Sequence, residues 1–546
     1  MTTPSPRTPT LLPYAMVAGL LLLFLYVWPL LLSTPLTDPD EGLHAAIAQR
    51  MVEHGDLVVP HFLDQPFLDK PILYFWAQAA SLTSFGMNPA AVRLPGLLFA
   101  VLGVITTGWL ARALFGASVG WLAAVCYATL AVPFALAQAP VHDIALVPLV
   151  NLALLAFWRY GERDASPVHV VAAGVVLGLS VLTKGLAGIA VVGVAFGLML
   201  VIARRVTVRL VVGGLVALVM AGLVAAPWYM AMEARQPGYL QYYFVSRHLL
   251  GFATASQPHG NQPWWYYLPI LVGGGLPWVL YVSRDPISSA PLRRDAVSLT
   301  WCWMIGGLVV LSVAGSKLVT YALPLFPPMA MLAARAWSSA LEQAESDRSV
   351  LTRARVHTLI FAALAAALPW AIRADGVDVG LPASIVFGIA SLAWLYVWQS
   401  IPTQPLAWTW RRLALGTGAT YALTLVMLAP AEAQAHSALN LATQLNRSPR
   451  LPDTVFVVGE RIGSVVFYLK PELRQSLEAS RFQTVNAEEA VARATADDLI
   501  VVPKKVLRRA GNPFADWSGP RMSAGRYELF VPRQPLPVVA SRDRSE

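Results

Sequence analysis

The stretch Leu210–Ala226, LVVGGLVALVMAGLVAA, carries no charged residue and is about as long as a helix needs to be to cross the hydrocarbon of a bilayer. In lipid, every backbone polar group must be paired within its own segment, so such a run forms a helix. Leu11–Leu32 and Leu94–Leu110 have the same character. The sequence therefore predicts an all-α protein that crosses a membrane many times.

The composition supports this prediction. Of the 546 residues, 56% are hydrophobic and only 13% are charged, about half the charged share of a soluble domain. A signal peptide is the alternative interpretation of the first apolar run, but the run is too long and no small-x-small site follows it before Asp38. Cys126 and Cys302 both lie in apolar runs, which indicates neither a disulfide framework nor a local metal cluster.

Thirteen spans are predicted, at about residues 11–32, 92–111, 117–137, 144–159, 167–183, 186–203, 208–230, 264–283, 298–314, 318–337, 356–373, 382–400 and 412–430. With the N-terminus in the cytoplasm, every second short loop is rich in arginine, namely Arg112, Arg159, Arg163, Arg204, Arg205, Arg209, Arg284, Arg293, Arg294, Arg353, Arg355, Arg411 and Arg412. This is the positive-inside pattern. It accounts for much of the basic charge behind the net +9 without nucleic acid as a partner.

An odd number of spans places the C-terminal residues outside. From about Ser437 the composition becomes that of a soluble domain, so we divide the chain into a membrane domain, 1–436, and a small α/β domain with its tail, 437–546. Predicted strands, a helix and one element of either kind follow in this order: strand Thr454–Gly459, strand or helix Val465–Leu469, helix Ala487–Thr495, strand Leu499–Val502 and strand Arg526–Val531.

The first outer loop, 33–91, is too long to be a simple connector. It starts with Asp38-Pro39-Asp40-Glu41, and it continues through two apolar stretches that suit helices lying along the membrane surface. Lys70 lies between those stretches. These charges could simply solvate the loop. Together, however, Asp40 and Lys70 in one partly desolvated pocket suit a base and a phosphate clamp.

Further ionisable residues lie at the outward-facing ends of spans. Placing a charge there costs free energy, so such residues often mark a functional site. Asp143, Lys184 and Lys317 lie at such ends, and Arg93 lies beside the second span. A lysine near a helix end often only reaches for the interface. Two lysines and an arginine on the side that should be poor in basic residues nevertheless favour an anionic ligand, for which Tyr321 is a further candidate.

The second large outer loop, 231–263, holds Arg247, His248 and His259, followed by an aromatic run. Interfacial tryptophans and tyrosines are an ordinary belt and indicate little by themselves. The two histidines would permit a metal site, but no His-x-x-His spacing supports one.

Several of these motifs together resemble the bacterial aminoarabinose transferases, which belong with the protein mannosyltransferase-like enzymes of the C-type glycosyltransferase fold. The residues that carry the resemblance are Asp40-Glu41-Gly42, Gly55-Asp56, Asp69-Lys70-Pro71-Ile72, Asp143, Leu182-Thr183-Lys184-Gly185, Pro227-Trp228-Tyr229, His248, Trp264 to Pro269, Leu276-Pro277-Trp278 and Ser316-Lys317. The resemblance covers the membrane region and extends to a trailing outer domain.

The resemblance implies a catalytic role for Asp40, with Lys70 and Asp143 lining the donor pocket. It implies a metal, zinc, at Asp69 and His248. It also implies a bacterial inner-membrane enzyme that moves a sugar from an undecaprenyl-phosphate carrier, with lipid A phosphate as the acceptor. The residues that would contact the substrates are Glu41, Arg93, Lys184, Arg247, His259, Lys317 and Tyr321.

Three departures from the family pattern affect the predicted specificity. Leu43-His44 stands where the family usually has Arg-Tyr, Asp69 where it has Glu, and Arg247 where it often has Glu. They leave open another sugar or a protein acceptor on the same fold. A lipid or sugar transporter is the remaining alternative, but the sequence has neither an internal repeat nor paired charges at mid-span.

Overall fold

The computed structural model describes residues 19, 24–29, 34–162, 166–251, 262–282, 291–342, 348–448, 451–475, 477–508, 513–515, 517 and 519–531. Within them the chain forms two compact units. The membrane unit comprises Met1–Leu32, Leu68–Tyr74 and Arg93–Ala429. The sheet unit comprises Ser33–Phe67, Phe75–Val92 and Pro430–Glu546, so most of the first outer loop clusters with the C-terminal residues. The domain boundary predicted at 436 stays a prediction.

The longer helices run Pro89–Phe115, Ala117–Ala128, Ala131–Ala137, His142–Tyr160, Val168–Lys184, Ala187–Ile202, Val208–Arg235, Tyr267–Gly274, Pro291–Trp301, Gly307–Val313, Phe326–Glu342, Arg348–Ala374, Gly380–Ser400 and Leu406–Met427. Gln241–Leu250 and Cys302–Gly306 are π-helical, and Trp278–Tyr281, Val319–Leu325 and Ile401–Thr403 are 3₁₀ turns. In the described residues, six helices are long and apolar enough to cross a membrane, or eight if two bent pairs each count as one span. Val168–Lys184 and Ala187–Ile202 are apolar but shorter.

Two predicted spans are interrupted in the structure, and each interruption lies near a proline. The span at 117–137 bends by 63° between Ala128 and Ala131, where Pro133 has no N–H to continue the helix. The span at 264–283 is wrong as a continuous helix, because Gly275-Leu276-Pro277 separates a short helix from a 3₁₀ turn. At the first break the free N–H of Ala131 donates to the carbonyl of Leu276 at 3.0 Å. The first predicted span lies largely outside the described residues, so the count of thirteen stays a prediction.

The sheet unit contains a two-stranded hairpin, β1 (His61–Phe62) and β2 (Gln65–Pro66), and a five-stranded sheet. The sheet strands are β3 (Val455–Val458), β4 (Phe482–Val485), β5 (Leu499–Pro503), β6 (Arg521–Ala524) and β7 (Tyr527–Phe530), in the order β4-β3-β5-β7-β6. Strand β3 pairs in parallel with β4 and β5, whereas β7 pairs antiparallel with β5 and β6. The helices of this unit and those at its edges are Asp40–His54, Leu73–Phe85, Ala429–Ala435, Leu439–Leu445, Gly463–Tyr468, Pro471–Gln475, Ala487–Arg493 and Lys504–Leu507.

Apolar residues cover both faces of the central strands. Val455, Val457 and Leu499 pack into one core, whereas Phe456 and Ile500 pack into the core on the opposite face. A central strand buried on both sides is a continuous apolar run, which is why the sequence predicted β3 and β5. The element at 465–469 is a helix, Gly463–Tyr468.

Candidate active site

An ion pair between two helix ends is the centre of the candidate site in the membrane unit. Asp143 lies in the first turn of helix His142–Tyr160, and Lys184 is the last residue of helix Val168–Lys184. The helix dipole favours a carboxylate at the first position and an ammonium at the second. The Nζ of Lys184 donates to Oδ1 of Asp143, and the two side chains are only 13% and 6% exposed. The pair therefore fixes the position of the ammonium group.

Tyr321 provides the next contact of the lysine. The Lys184 Nζ lies 3.8 Å from the centroid of the Tyr321 ring, which is a cation–π geometry. The hydroxyl of Tyr321 is hydrogen-bonded to Ser316 and lies within electrostatic range of Arg247 and Asp69. Tyr321 thus lies between the first ion pair and a second one.

The second pair joins the first outer loop to the π-helical segment Gln241–Leu250. A guanidinium nitrogen of Arg247 lies 3.1 Å from Oδ1 of Asp69, and the Tyr242 hydroxyl donates to the same oxygen at 2.8 Å. Burial, reinforced by this hydrogen bond, raises the pKa of Tyr242 to about 12. Tyr242 therefore remains a protonated donor at neutral pH.

His248 packs against the corner that follows Lys184. Its Nδ1 lies 2.8 Å from the carbonyl of Tyr243, and the backbone of Lys184 is its other hydrogen-bond partner. Gly185 has a φ of +60°, and a Cβ there would lie 2.3 Å from Nε2 of His248, so only glycine fits. Burial lowers the pKa of His248, which keeps the imidazole neutral.

Lys70 belongs to the same group, because its charge interacts with that of Lys184. We call the following residues the cationic cluster: Lys70, Lys184, Arg247, Asp69, Asp143 and Tyr321. Three basic side chains face two carboxylates, so the cluster has an excess of positive charge. An anion such as a phosphate suits this surplus.

Two other predicted basic residues are buried side chains. Arg93 is buried in helix Pro89–Phe115. Lys317 is also buried, and its Nζ donates to the carbonyl of Ala314 at 2.5 Å, directly after helix Gly307–Val313. That contact is a helix C-cap of the kind that lysine commonly makes. His259 lies outside the described residues.

Asp40 and Glu41 belong to the sheet unit, where they begin helix Asp40–His54. Asp40 is exposed. Glu41 is buried, and its carboxylate accepts hydrogen bonds from the backbone nitrogen of Thr37 at 2.8 Å and from its hydroxyl at 2.9 Å. Glu41 thus holds the turn before the helix. The prediction that Asp40 and Lys70 share a pocket stays a prediction.

A metal centre at Asp69 and His248 finds no support in the geometry. No group of three or more histidine, cysteine, aspartate or glutamate side chains that could hold a metal occurs among the residues the structure describes. The Asp69 carboxylate faces Arg247 and Tyr242, and Nδ1 of His248 lies against the backbone carbonyl of Tyr243. Zinc dependence stays a prediction, and we assign no chemical step to a metal.

Two residues with well-defined hydrogen bonds were not singled out from the sequence as candidate functional residues. Tyr242 lies in an aromatic run with nothing to distinguish it from its neighbours. Asp38 belonged to the acidic run, but its partner, Ser464, lies 426 residues further along the chain. No local spacing could have identified that partner.

Comparisons with known proteins agree with the motif resemblance. Residues 69–231 match the family described as dolichyl-phosphate-mannose-protein mannosyltransferase. The undecaprenyl phosphate-alpha-4-amino-4-deoxy-L-arabinose arabinosyl transferase of Pectobacterium carotovorum is 31% identical over 64% of this chain and 62% of its own length. The protein of the same name from Erwinia tasmaniensis is 34% identical over 59% of each chain. This chain therefore matches about 60% of the length of these curated relatives.

The fold is shared along nearly the whole chain. The crystal structure of ArnT from Cupriavidus metallidurans bound to undecaprenyl phosphate aligns with a TM-score of 0.75 and 20% identity, covering 96% of this chain and 99% of that one. The predicted fold class, a mostly helical membrane protein with a small C-terminal sheet, is confirmed. The resemblance noted from the motifs is likewise confirmed, and the chain is a multi-pass membrane protein.

Proposed function

We propose that this relative of the aminoarabinose transferases, with the fold of ArnT, is a glycosyltransferase that moves a sugar from a polyprenyl-phosphate donor to an acceptor. The preferred donor is undecaprenyl-phosphate aminoarabinose, and the preferred acceptor is a phosphate of lipid A. The cationic cluster is the observation that carries the proposal, because the departing group in such a reaction is a lipid phosphate.

The reaction is a direct displacement at the anomeric carbon. An acceptor oxygen forms a bond to that carbon while the bond to the lipid-phosphate oxygen breaks, and the electron pair leaves with the phosphate. The configuration of the sugar inverts. Negative charge grows on the phosphate during this step, so cations held in position before the reaction lower the barrier.

The three basic side chains have different parts in that stabilisation. Lys184 is held by Asp143 and Tyr321, and therefore offers its ammonium group at a fixed position. Arg247, oriented by Asp69, has the planar fork that suits phosphate oxygens. Lys70 supplies a further positive charge within electrostatic range of Lys184.

Asp40 orients the acceptor in this scheme. If the acceptor is a hydroxyl group, its proton passes to the Asp40 carboxylate as the new bond forms. If the acceptor is an ionised phosphate, there is no proton to remove, and Asp40 only directs the attack.

The arrangement in the membrane follows from charge. We propose a bacterial inner membrane with the N-terminus in the cytoplasm and the sheet unit in the periplasm, supported by the arginine-rich loops on the other side. The lipid carrier, the acceptor and the membrane lipids are then the partners of the protein.

A protein acceptor is the second candidate. The match of residues 69–231 to a protein mannosyltransferase family favours it. In this case the acceptor is a serine or threonine hydroxyl group, and Asp40 acts as the base.

Purified full-length protein with undecaprenyl-phosphate aminoarabinose and lipid A tests the proposal. Mass spectrometry should detect a gain of one aminopentose on lipid A, reduced at least a hundredfold by Lys70→Met and unchanged by Lys470→Met, which removes an exposed lysine of the sheet unit. Transfer to a serine-rich peptide instead would support the second candidate. Transfer to neither, from this donor or from a mannose donor, would refute the proposed function.

A further inference from the structure

The turn that carries Asp40 is fixed by hydrogen bonds on both sides. Glu41 accepts the two hydrogen bonds from Thr37, and the backbone nitrogen of Gly42 donates to the carbonyl of Thr37 at 2.9 Å. The backbone nitrogen of Asp38 donates to the carbonyl of His436 at 3.1 Å. The last of these contacts comes from the C-terminal part of the sheet unit.

The carboxylate of Asp38 binds the start of helix Gly463–Tyr468. Its Oδ1 accepts from the backbone nitrogen of Ser464 at 2.9 Å, and its Oδ2 accepts from the Ser464 hydroxyl. The same hydroxyl oxygen accepts from the backbone nitrogen of Ala438 at 3.1 Å. Ser464 is fully buried, so its hydroxyl connects the acidic turn to two C-terminal segments.

The backbones of two helices touch at the same place. A Cβ on Gly42 would lie 2.2 Å from the nitrogen of Ser464, and a Cβ on Gly463 would lie 2.3 Å from the nitrogen of Leu43. Any side chain at either glycine would push the helices apart. The position of helix Asp40–His54 is thus set by direct backbone contact as well as by hydrogen bonds.

We propose that Ser464 is a positioning residue for Asp40. The C-terminal part of the sheet unit, which we call the C-terminal module, is then required for full catalytic activity. This inference rests on the proposed function. Asp40 follows Asp38 by two residues and is exposed. The hydrogen bonds between Asp38 and Ser464 therefore set the direction of the Asp40 carboxylate. A displacement of about 1 Å in a reacting geometry can cost about a hundredfold in rate.

The chain offers a matched control at the other end of the same helix. Arg474 forms an ion pair with Glu53, which also joins helix Asp40–His54 to the C-terminal module. Glu53 lies thirteen residues after Asp40, or about 20 Å along the helix at about 1.5 Å per residue. Glu53→Gln therefore loosens the attachment of the module without touching the turn.

Kinetics of the full-length protein distinguish positioning from mere attachment. Ser464→Ala should lower kcat by about ten- to a hundredfold with the KM for the lipid-linked donor unchanged, whereas Glu53→Gln should retain the wild-type kcat. Asp38→Ala, which removes the other partner of the hydrogen bond, should lower kcat to a similar degree. In the Asp40→Glu background, Ser464→Ala should cause little further loss, because the carboxylate is already displaced.

Each result has a definite meaning. Equal kcat values for Ser464→Ala and Glu53→Gln, or losses that multiply fully in the Asp40→Glu background, would overturn the positioning role. If Ser464→Ala does not fold, Asp38→Ala decides by the same criteria. The absence of transfer by the wild-type protein would instead refute the proposed function, and it would be known before any variant is compared.

Discussion

Removing either member of the buried Asp143–Lys184 pair should destabilise the protein strongly. The two side chains are 6% and 13% exposed, so too little water reaches the site to solvate a charge left without its partner. Breaking such a pair from one side costs about 3–5 kcal/mol. We therefore expect that Asp143→Leu and Lys184→Met each lower the unfolding temperature substantially.

The double variant should separate stability from activity. When Asp143→Leu and Lys184→Met are combined, both charges are gone and two apolar side chains face each other, so the desolvation penalty disappears and most of the lost stability should return. The rate of sugar transfer should stay lower by about 10²–10³-fold, because the fixed ammonium group beside Tyr321 is missing. Stability and rate should thus respond differently to the second substitution.

Thermal unfolding of detergent-purified protein and single-turnover transfer provide the two measurements. The exposed pair Arg493–Glu489 is the control, since Glu489→Gln should change the free energy of unfolding by less than about 1 kcal/mol. A double variant that regains the wild-type transfer rate together with its stability would refute the catalytic role of Lys184. Single variants that unfold at the wild-type temperature would refute the argument from burial.

Three further predictions concern other parts of the structure. Arg247→Lys should raise the KM for the donor about fivefold without changing the unfolding temperature, because the fork is lost but the partly exposed ion pair is worth less than about 1 kcal/mol. Burial raises the pKa of Asp38 to about 7 from about 4 in the unfolded chain, so the free energy of unfolding should be highest below pH 4 and fall as the pH rises to 7. Thermal unfolding measured between pH 4 and pH 7 should show this loss of stability in the wild-type protein and a smaller loss in Asp38→Asn. An equal loss in both proteins would contradict the raised pKa of Asp38. Gly42→Ala should destabilise by about 1–3 kcal/mol because its Cβ meets the Ser464 nitrogen, whereas Gly222→Ala, with open space around it, should unfold like wild type.

The sequence predicted the parts of the fold that depend on local patterns. Uninterrupted apolar runs identified most of the long helices and the buried strands β3 and β5. The strands β4 and β6 were missed because each is only four residues long and has no continuous run of buried apolar side chains. The break at Pro133 was also missed, since hydropathy does not register a missing N–H.

Charge in an apolar setting was the most useful signal for the site. It selected Asp143, Lys184 and Arg247 from three distant segments, and the structure brings them into one cluster. Their roles in transfer stay predictions. The hydrogen bonds between Asp38 and Ser464 could not be predicted, because nothing in a single sequence distinguishes Ser464 from any other serine.

The contact between Asp38 and Ser464 also has a consequence for biogenesis. The ribosome makes the acidic turn 426 residues before its partner, which at 5–20 residues per second is a delay of roughly 20 to 90 seconds. During that time the membrane helices can insert and pack, but the turn lacks the backbone of Ser464 against which it is ordered. A nascent or truncated chain would thus hold its membrane helices without an ordered Asp40. If the proposed function is right, activity would therefore appear only after the last segment has folded.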